Sequence, residues 1–155
     1  MIVGLRTVTI NETVYQRSDR TVLHQEKFSI NLTIYEPEFR NNAMLLYLHG
    51  NSSSKLESTS ILKFIPQNFS LAAFDFLGCG QNQECDTISL GYRESMQVKS
   101  IVEYLRKQGC DVIIWGRSMG AASALLYGKA EIIVADSSFK SLRSLCKQVA
   151  KDNSP

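Results

Sequence analysis

Four short segments of this sequence are apolar on both faces, and each is followed by a histidine, a glycine or an aspartate. They are residues 44–48, 71–74, 112–115 and 132–135. Such segments are typical of buried strands in a mainly parallel sheet with helices on its faces. We therefore expect an α/β fold in which all four are interior strands, residues 132–135 included.

The segments between these strands are amphipathic and long enough to be crossover helices. In the clearest of them, Val98, Ile101, Val102 and Leu105 recur at helical spacing, and Gly109 is placed to end the helix. The predicted helices are residues 54–64, 90–107, 119–127 and 142–150. Alternating strands and helices predict a mostly parallel, doubly wound sheet, with any active site beyond the carboxyl ends of its strands.

The N-terminal part of the chain has a different pattern. Residues 28–35 alternate apolar and polar side chains, as a half-buried strand does, and residues 8–14 and 21–25 are weaker strand predictions. We find no internal repeat and no linker. We therefore expect one domain over residues 1–155.

The motif with the most specific chemistry is Gly116-Arg117-Ser118-Met119-Gly120, which matches G-x-S-x-G. It follows a predicted buried strand and precedes a predicted helix. In that context the serine lies on a sharp, strained turn that exposes its hydroxyl in front of a helix N-terminus. Ser118 is therefore the predicted nucleophile, and the alternative is a chance glycine–serine turn.

A polar loop, residues 49–54, follows the first buried strand. Acyl transfer needs backbone N–H groups that stabilise an oxyanion, and in this arrangement one comes from the residue after the nucleophile, Met119. We expect the second from Asn51, with Ser52 as the alternative donor. The loop can also cap the next helix. We expect His49 to shape this loop rather than to act as the base.

The motifs LYLHGNSSS, FDFLGCGQ, ISLGY, WGRSMGAASALLYG and VADSSF occur in this order within residues 28–147. Together they resemble the α/β-hydrolase superfamily. The closest resemblance is to its serine-aminopeptidase-like or hydrolase-4-like members, a group that includes Bem46-type and depalmitoylase-like proteins. The resemblance implies an α/β-hydrolase fold, with Ser118 as nucleophile and Asn51 and Met119 as oxyanion donors.

The resemblance also assigns residues that border the pocket. Asp75, Gly78 and Gly80 match the turn after the family's fourth strand, where Asn82 replaces a serine common in relatives. Asp136 matches an aspartate that usually bonds the backbone of its own turn, and that serves as the triad acid in a minority of relatives.

Triad partners in this fold follow the nucleophile in the order serine, acid, histidine. Both histidines of this sequence, His24 and His49, precede Ser118. We therefore expect a hydrolase domain truncated after about the sixth strand and nearly inert alone, because a serine hydroxyl needs a base. The exposed edge of its last strand would favour self-association.

Composition excludes several function classes. A net charge of +2 gives no electrostatic footprint for nucleic acid. No segment is long and apolar enough to cross a bilayer, and we identify no signal peptide. The four cysteines and two histidines lack zinc-site spacing, so we expect no metal and no cofactor. Reduced thiols in the cytoplasm are the expected state.

We therefore expect a serine hydrolase that acts on a small-molecule or acyl substrate through an ester, thioester or small amide bond. The alternative is a non-catalytic binding or scaffold protein on the same fold. Arg117 could favour an anionic substrate, but an arginine in this place is more often solvated or paired with a carboxylate.

Overall fold

The structure, a computed structural model, describes residues 2–82 and 87–152. Its strands are β1 Ile2–Ile10, β2 Thr13–His24, β3 Phe28–Pro37, β4 Ala43–Leu48, β5 Ser70–Phe74, β6 Asp111–Arg117 and β7 Ile132–Asp136. Its helices are a 3₁₀ helix Lys55–Phe64 and the α-helices α1 Tyr92–Lys107, α2 Met119–Tyr127 and α3 Leu142–Asp152.

The described strands form one seven-stranded sheet in the order β1-β2-β3-β5-β4-β6-β7. Antiparallel pairing joins β1, β2, β3 and β5, and parallel pairing joins β5, β4, β6 and β7. The strands β2, β4, β5, β6 and β7 consequently all point the same way. The predicted mostly parallel sheet is confirmed, and the carboxyl ends of β4, β5, β6 and β7 meet at one edge.

The two weak strand predictions at the N-terminus were wrong in their boundaries. Residues 8–14 span a hairpin turn, because Asn11 and Glu12 adopt φ values of 48° and 66° between β1 and β2. Residues 21–25 contain the end of β2, which runs from Thr13 to His24 and pairs with β3 along its length.

Helices cover the sheet on both faces. Val98, Ile101, Val102 and Leu105 of α1 are fully buried against one face. They share a core with Met119 and Ala124 of α2 and with the side chains of β2 to β6 that point to this face. On the opposite face Ile61 and Leu62 of the 3₁₀ helix pack on Tyr47 and Leu71.

The helix predicted over residues 54–64 exists, but it is a 3₁₀ helix that begins at Lys55. Ser54 caps it by accepting a hydrogen bond from the N–H of Leu56 over 3.4 Å. The prediction for α2 is confirmed residue for residue. The predicted start of α1 was two residues early, and Gly109, with φ of 82°, follows its C-terminus as expected.

The expectation that the strand at residues 132–135 has an uncovered outer edge is confirmed within the described residues. β7 is the last strand of the described sheet and pairs only with β6 within it. Ile133 packs on the α1–α2 core, whereas Ile132 and Val134 face the other side and are 54% and 36% exposed. The 3₁₀ helix lies against β4 and β5 and leaves these two side chains uncovered.

None of the helices in the described part of the chain is long and apolar enough to cross a membrane.

Candidate active site

Ser118 occupies a sharp turn between β6, which ends at Arg117, and α2, which begins at Met119. Its backbone has φ of 51° and ψ of −111°, a conformation that costs a non-glycine residue about 1–3 kcal/mol. The side chain is half-buried and does not cap the helix. The predicted strand, turn and helix over residues 112–127 are therefore confirmed.

The two outer glycines of the motif are required by close backbone contacts. A Cβ at Gly116 would lie 2.4 Å from the carbonyl oxygen of Gly120, and a Cβ at Gly120 would lie 2.2 Å from the carbonyl oxygen of Leu48. Both distances are far below van der Waals contact. These glycines let α2 start directly against β6 and against the end of β4.

Backbone hydrogen bonds hold the strained serine in place. The N–H of Ser118 donates to the carbonyl oxygen of Asp136 over 2.9 Å, so the end of β7 supports the turn. The Ser118 carbonyl accepts from the N–H of Ala122 over 3.0 Å. The hydroxyl remains at the N-terminal end of α2, where the helix dipole favours negative charge.

The loop after β4 approaches the same turn. A methyl group in place of the Gly50 hydrogen would lie 3.6 Å from the Cβ of Ser118, which is ordinary contact. Gly50 accepts a turn hydrogen bond from the N–H of Ser53 over 3.3 Å, and Asn51 between them is exposed. The structure thus places Asn51 on a loop that passes close to the serine.

Met119 takes the first position of α2, where backbone N–H groups have no acceptor within the helix. Its side chain is fully buried in the core, so only its backbone can serve the site. The alternative donor, Ser52, lies in the left-handed region with φ of 60°.

His49 is fully buried, and both of its ring nitrogens have partners. The N–H of Phe76 donates to Nε2 over 3.1 Å, so Nδ1 carries the proton and donates to the carbonyl oxygen of Gly50 over 2.7 Å. Its ring also meets that of Phe76 edge-on. Burial lowers the pKa of His49, and its hydrogen bonds hold the loop, as the sequence predicts.

His24 lies far from Ser118 along the sheet. It ends β2, and β3, β5 and β4 lie between β2 and β6, which is a separation of about 19 Å at ordinary strand spacing. The ring is buried and its Nδ1 is 2.9 Å from Oγ of Ser100 on α1. Burial lowers the pKa of His24 as well.

Asp75 joins the two loops that flank the site. Its Oδ1 accepts from the N–H of Lys55 over 2.7 Å, and its Oδ2 accepts from the N–H of Gln81 over 3.2 Å. Gly80 packs so closely that a Cβ there would lie 2.4 Å from Cγ of Asp75. This confirms the structural role expected for the turn. Asn82 is buried in the same turn, where its Nδ2 lies 3.5 Å from the carbonyl oxygen of Asp75.

Asp136 ends β7 directly beside the turn between β6 and α2 that carries Ser118, which we call the elbow. Its carboxylate accepts from the hydroxyl of Ser137 over 2.8 Å. The resemblance implied a hydrogen bond to the backbone of the turn, whereas the observed partner is a neighbouring side chain. The backbone carbonyl of Asp136 is the group that contacts Ser118.

Arg117 is paired with the carboxylate of Glu57 on the 3₁₀ helix, in agreement with the more common environment expected for it. The same carboxylate accepts from the hydroxyl of Ser53 over 2.8 Å and lies near the Tyr47 hydroxyl. Burial, aided by Glu57, raises the pKa of Tyr47 to about 12. Sequence reasoning missed Glu57, because no periodicity marks a residue that joins three elements.

Two further buried polar residues were missed, and both belong to α1. Glu94 is fully buried and accepts from the N–H of Gly91 and from the N–H and hydroxyl of Ser89. Burial alone would raise the pKa of Glu94, but these hydrogen bonds outweigh it and lower the pKa. Gln97 accepts from the N–H of Leu77 over 2.9 Å. Together they fix α1 beneath the loop after β5.

An open cleft of about 530 Å³ adjoins the loop after β4. It is lined by residues 51–54, by residues 78–80 and by Ile88. Its walls are thus the two loops that Asp75 joins, and they present mostly hydroxyl, amide and backbone groups.

No protein-family profile and no curated protein matches this chain significantly. Among solved structures it resembles the Pyrococcus furiosus esterase Pf2001, with a TM-score of 0.69 and 20% identity over 96% of this chain and 64% of the esterase. A Mycobacterium smegmatis proline iminopeptidase gives a TM-score of 0.65 and 18% identity over 86% of this chain and 48% of that one.

A lidless α/β serine hydrolase from Xanthomonas campestris is similar too, with a TM-score of 0.60 and 15% identity over 76% of this chain and 59% of that protein. These likenesses show that the fold is that of the α/β-hydrolases. The chain spans less than two thirds of the length of each of these three proteins.

Proposed function

We propose that this chain carries the nucleophile half of a serine hydrolase active site. The observation that carries the proposal is the backbone of Ser118, held at φ of 51° between a buried strand and a helix N-terminus. A strained conformation persists only when its surroundings impose it, and such strain concentrates at functional sites. The esterase and iminopeptidase neighbours share the fold and support this class of chemistry.

In the proposed reaction Oγ of Ser118 attacks the carbonyl carbon of an ester, thioester or small amide. Its proton passes to a base, the new Oγ–C bond forms, and the alcohol, thiol or amine leaves with a proton. Backbone N–H groups of Met119 and Asn51 stabilise the oxyanion, aided by the dipole of α2. Water then hydrolyses the acyl-enzyme.

We further propose that the chain alone performs this reaction very slowly, because it holds no histidine suited to act as base. Both nitrogens of His49 are engaged, and His24 lies several strands away. The same observation favours the alternative, a binding protein on a hydrolase scaffold. If Ser118 reacts once a base is supplied, the chain is the hydrolase; the binding protein predicts no such reaction.

The test is covalent labelling of the chain by a small fluorophosphonate, followed by intact mass. We expect slow labelling of one site, faster labelling with added imidazole, and no labelling of Ser118→Ala. The matched control, Ser60→Ala, removes an exposed serine of the 3₁₀ helix and should label like the unmodified chain. Equal labelling of Ser118→Ala and the unmodified chain would refute the proposal.

We propose the cytoplasm as the site of this activity. Cys79, Cys110 and Cys146 are free thiols, as a reducing compartment would keep them. Burial raises the pKa of Cys79 and Cys110, so their reactive thiolate form is disfavoured.

A further inference from the structure

One carboxylate ties the loop after β4 to the nucleophile turn. Glu57, in the first turn of the 3₁₀ helix, accepts from the hydroxyl of Ser53 with Oε2 over 2.8 Å and pairs with the guanidinium of Arg117 through Oε1. The hydroxyl of Tyr47 on β4 lies near the same carboxylate. We name the set of Ser53, Glu57 and Arg117 the Glu57 clamp.

The two ends of the clamp lie next to the reacting groups. Arg117 immediately precedes Ser118, and Ser53 lies two residues after Asn51. The Glu57 side chain is only 17% exposed, whereas that of Arg117 is 54% exposed, so the bond from Ser53 is partly shielded from water and the ion pair is open to it. The charge-assisted bond from Ser53 is therefore stronger than a bond between neutral groups, and the more exposed ion pair with Arg117 contributes less.

The rest of the loop is fixed elsewhere. Its beginning is held from inside by the hydrogen bonds of His49, and its end is held where Asp75 accepts from the N–H of Lys55. Between these points Asn51 and Ser52 are exposed. Ser53 follows these two residues, and its hydroxyl bonds Glu57, which in turn pairs with Arg117. This chain of side-chain contacts connects the loop to the elbow.

We propose that Glu57 is a positioning residue, which sets the distance between the oxyanion loop and Ser118 by holding Ser53 and Arg117 on one carboxylate. This inference rests on the proposed function. Oxyanion donors must lie about 2.7–3.1 Å from the developing charge, and a displacement near 1 Å can cost about 100-fold in rate. Glu57 touches neither substrate nor nucleophile and acts only through its two neighbours.

The first test is Glu57→Gln, which keeps the size of the side chain but removes its charge and one acceptor oxygen. The control is Glu103→Gln, which breaks an exposed glutamate–lysine pair on α1. Phosphonylation is measured against reagent concentration with saturating imidazole. We expect the maximal rate of Glu57→Gln to fall about tenfold with the half-saturating concentration unchanged, because oxyanion donors act on the tetrahedral state. Glu103→Gln should match the unmodified chain.

The second test follows amide hydrogen exchange at the two ends of the clamp. Ser53→Ala should speed exchange at residues 117–119, and Arg117→Gln should speed it at residues 51–53. Neither substituted residue bonds the opposite segment directly, so a purely local structural role would not produce these cross effects. In the Glu57→Gln background each substitution should add nothing further.

The outcomes separate the two proposals. Equal maximal rates for Glu57→Gln and the unmodified chain, or exchange changes confined to the substituted segment, would overturn the clamp and leave the nucleophile proposal intact. A chain in which Ser118 never reacts would refute the proposed function and the positioning role together.

Discussion

Gly120→Ala is the substitution whose effect the structure predicts most directly. The added Cβ would lie 2.2 Å from the carbonyl oxygen of Leu48 and 2.6 Å from its carbonyl carbon, both of them backbone atoms. Ordinary contact begins near 3.4 Å, so the start of α2 must move away from β4 by about 1 Å. Overpacking of this kind costs roughly 3 kcal/mol, against about 1 kcal/mol gained in helix propensity. We expect a net loss near 2 kcal/mol.

Urea unfolding followed by the fluorescence of Trp115, the single tryptophan, measures this loss. With a slope of about 2 kcal/mol per molar urea, the midpoint should fall by about 1 M. The matched control is Gly50→Ala, whose Cβ would meet its nearest atoms at 3.6 Å and whose φ is not positive. It should change stability by less than about 1 kcal/mol. Equal midpoints for the two variants would refute the close-approach argument.

Three further predictions concern pH, the Asp75 turn and the sheet edge. Burial lowers the pKa of His49 and His24, so the folded chain binds protons at these residues more weakly than the unfolded chain does. The free energy of unfolding should therefore fall as pH drops below about 6.5. The slope is at most about 1.4 kcal/mol per pH unit for each histidine, and a urea midpoint that does not change from pH 7.5 to 5.5 would contradict it. Asp75→Ala leaves two backbone N–H groups without their acceptor and should cost about 1–3 kcal/mol in urea unfolding; a loss below 0.5 kcal/mol would argue against the bridging role. We propose that the β7 edge drives self-association, so Val134→Lys should lower the association constant in sedimentation velocity, while Leu23→Lys, at an exposed apolar position of β2 far from β7, should not.

The parallel half of the sheet could be predicted from the sequence because each strand there is apolar on both faces and ends at a distinctive residue. The elbow followed from five residues and their flanking pattern, and the roles expected for His49 and Arg117 follow from local chemistry. In these places neighbouring residues decide the structure.

The rest depends on contacts between distant segments. β2 carries charged residues along its length, and these interrupt the apolar pattern that would otherwise indicate a strand of 12 residues. β7 is as apolar as an interior strand, but its position at the sheet edge depends on the strand order. Glu57 and Glu94 accept from groups that only the folded chain brings together, so no spacing in the sequence indicates them.

The most direct test of the central claim is an experimental structure of the chain after reaction with a fluorophosphonate. We predict phosphorus bonded to Oγ of Ser118, with the phosphoryl oxygen about 2.7–3.1 Å from the backbone nitrogens of Met119 and Asn51. An adduct on another serine, or a phosphoryl oxygen directed away from both nitrogens, would contradict the account.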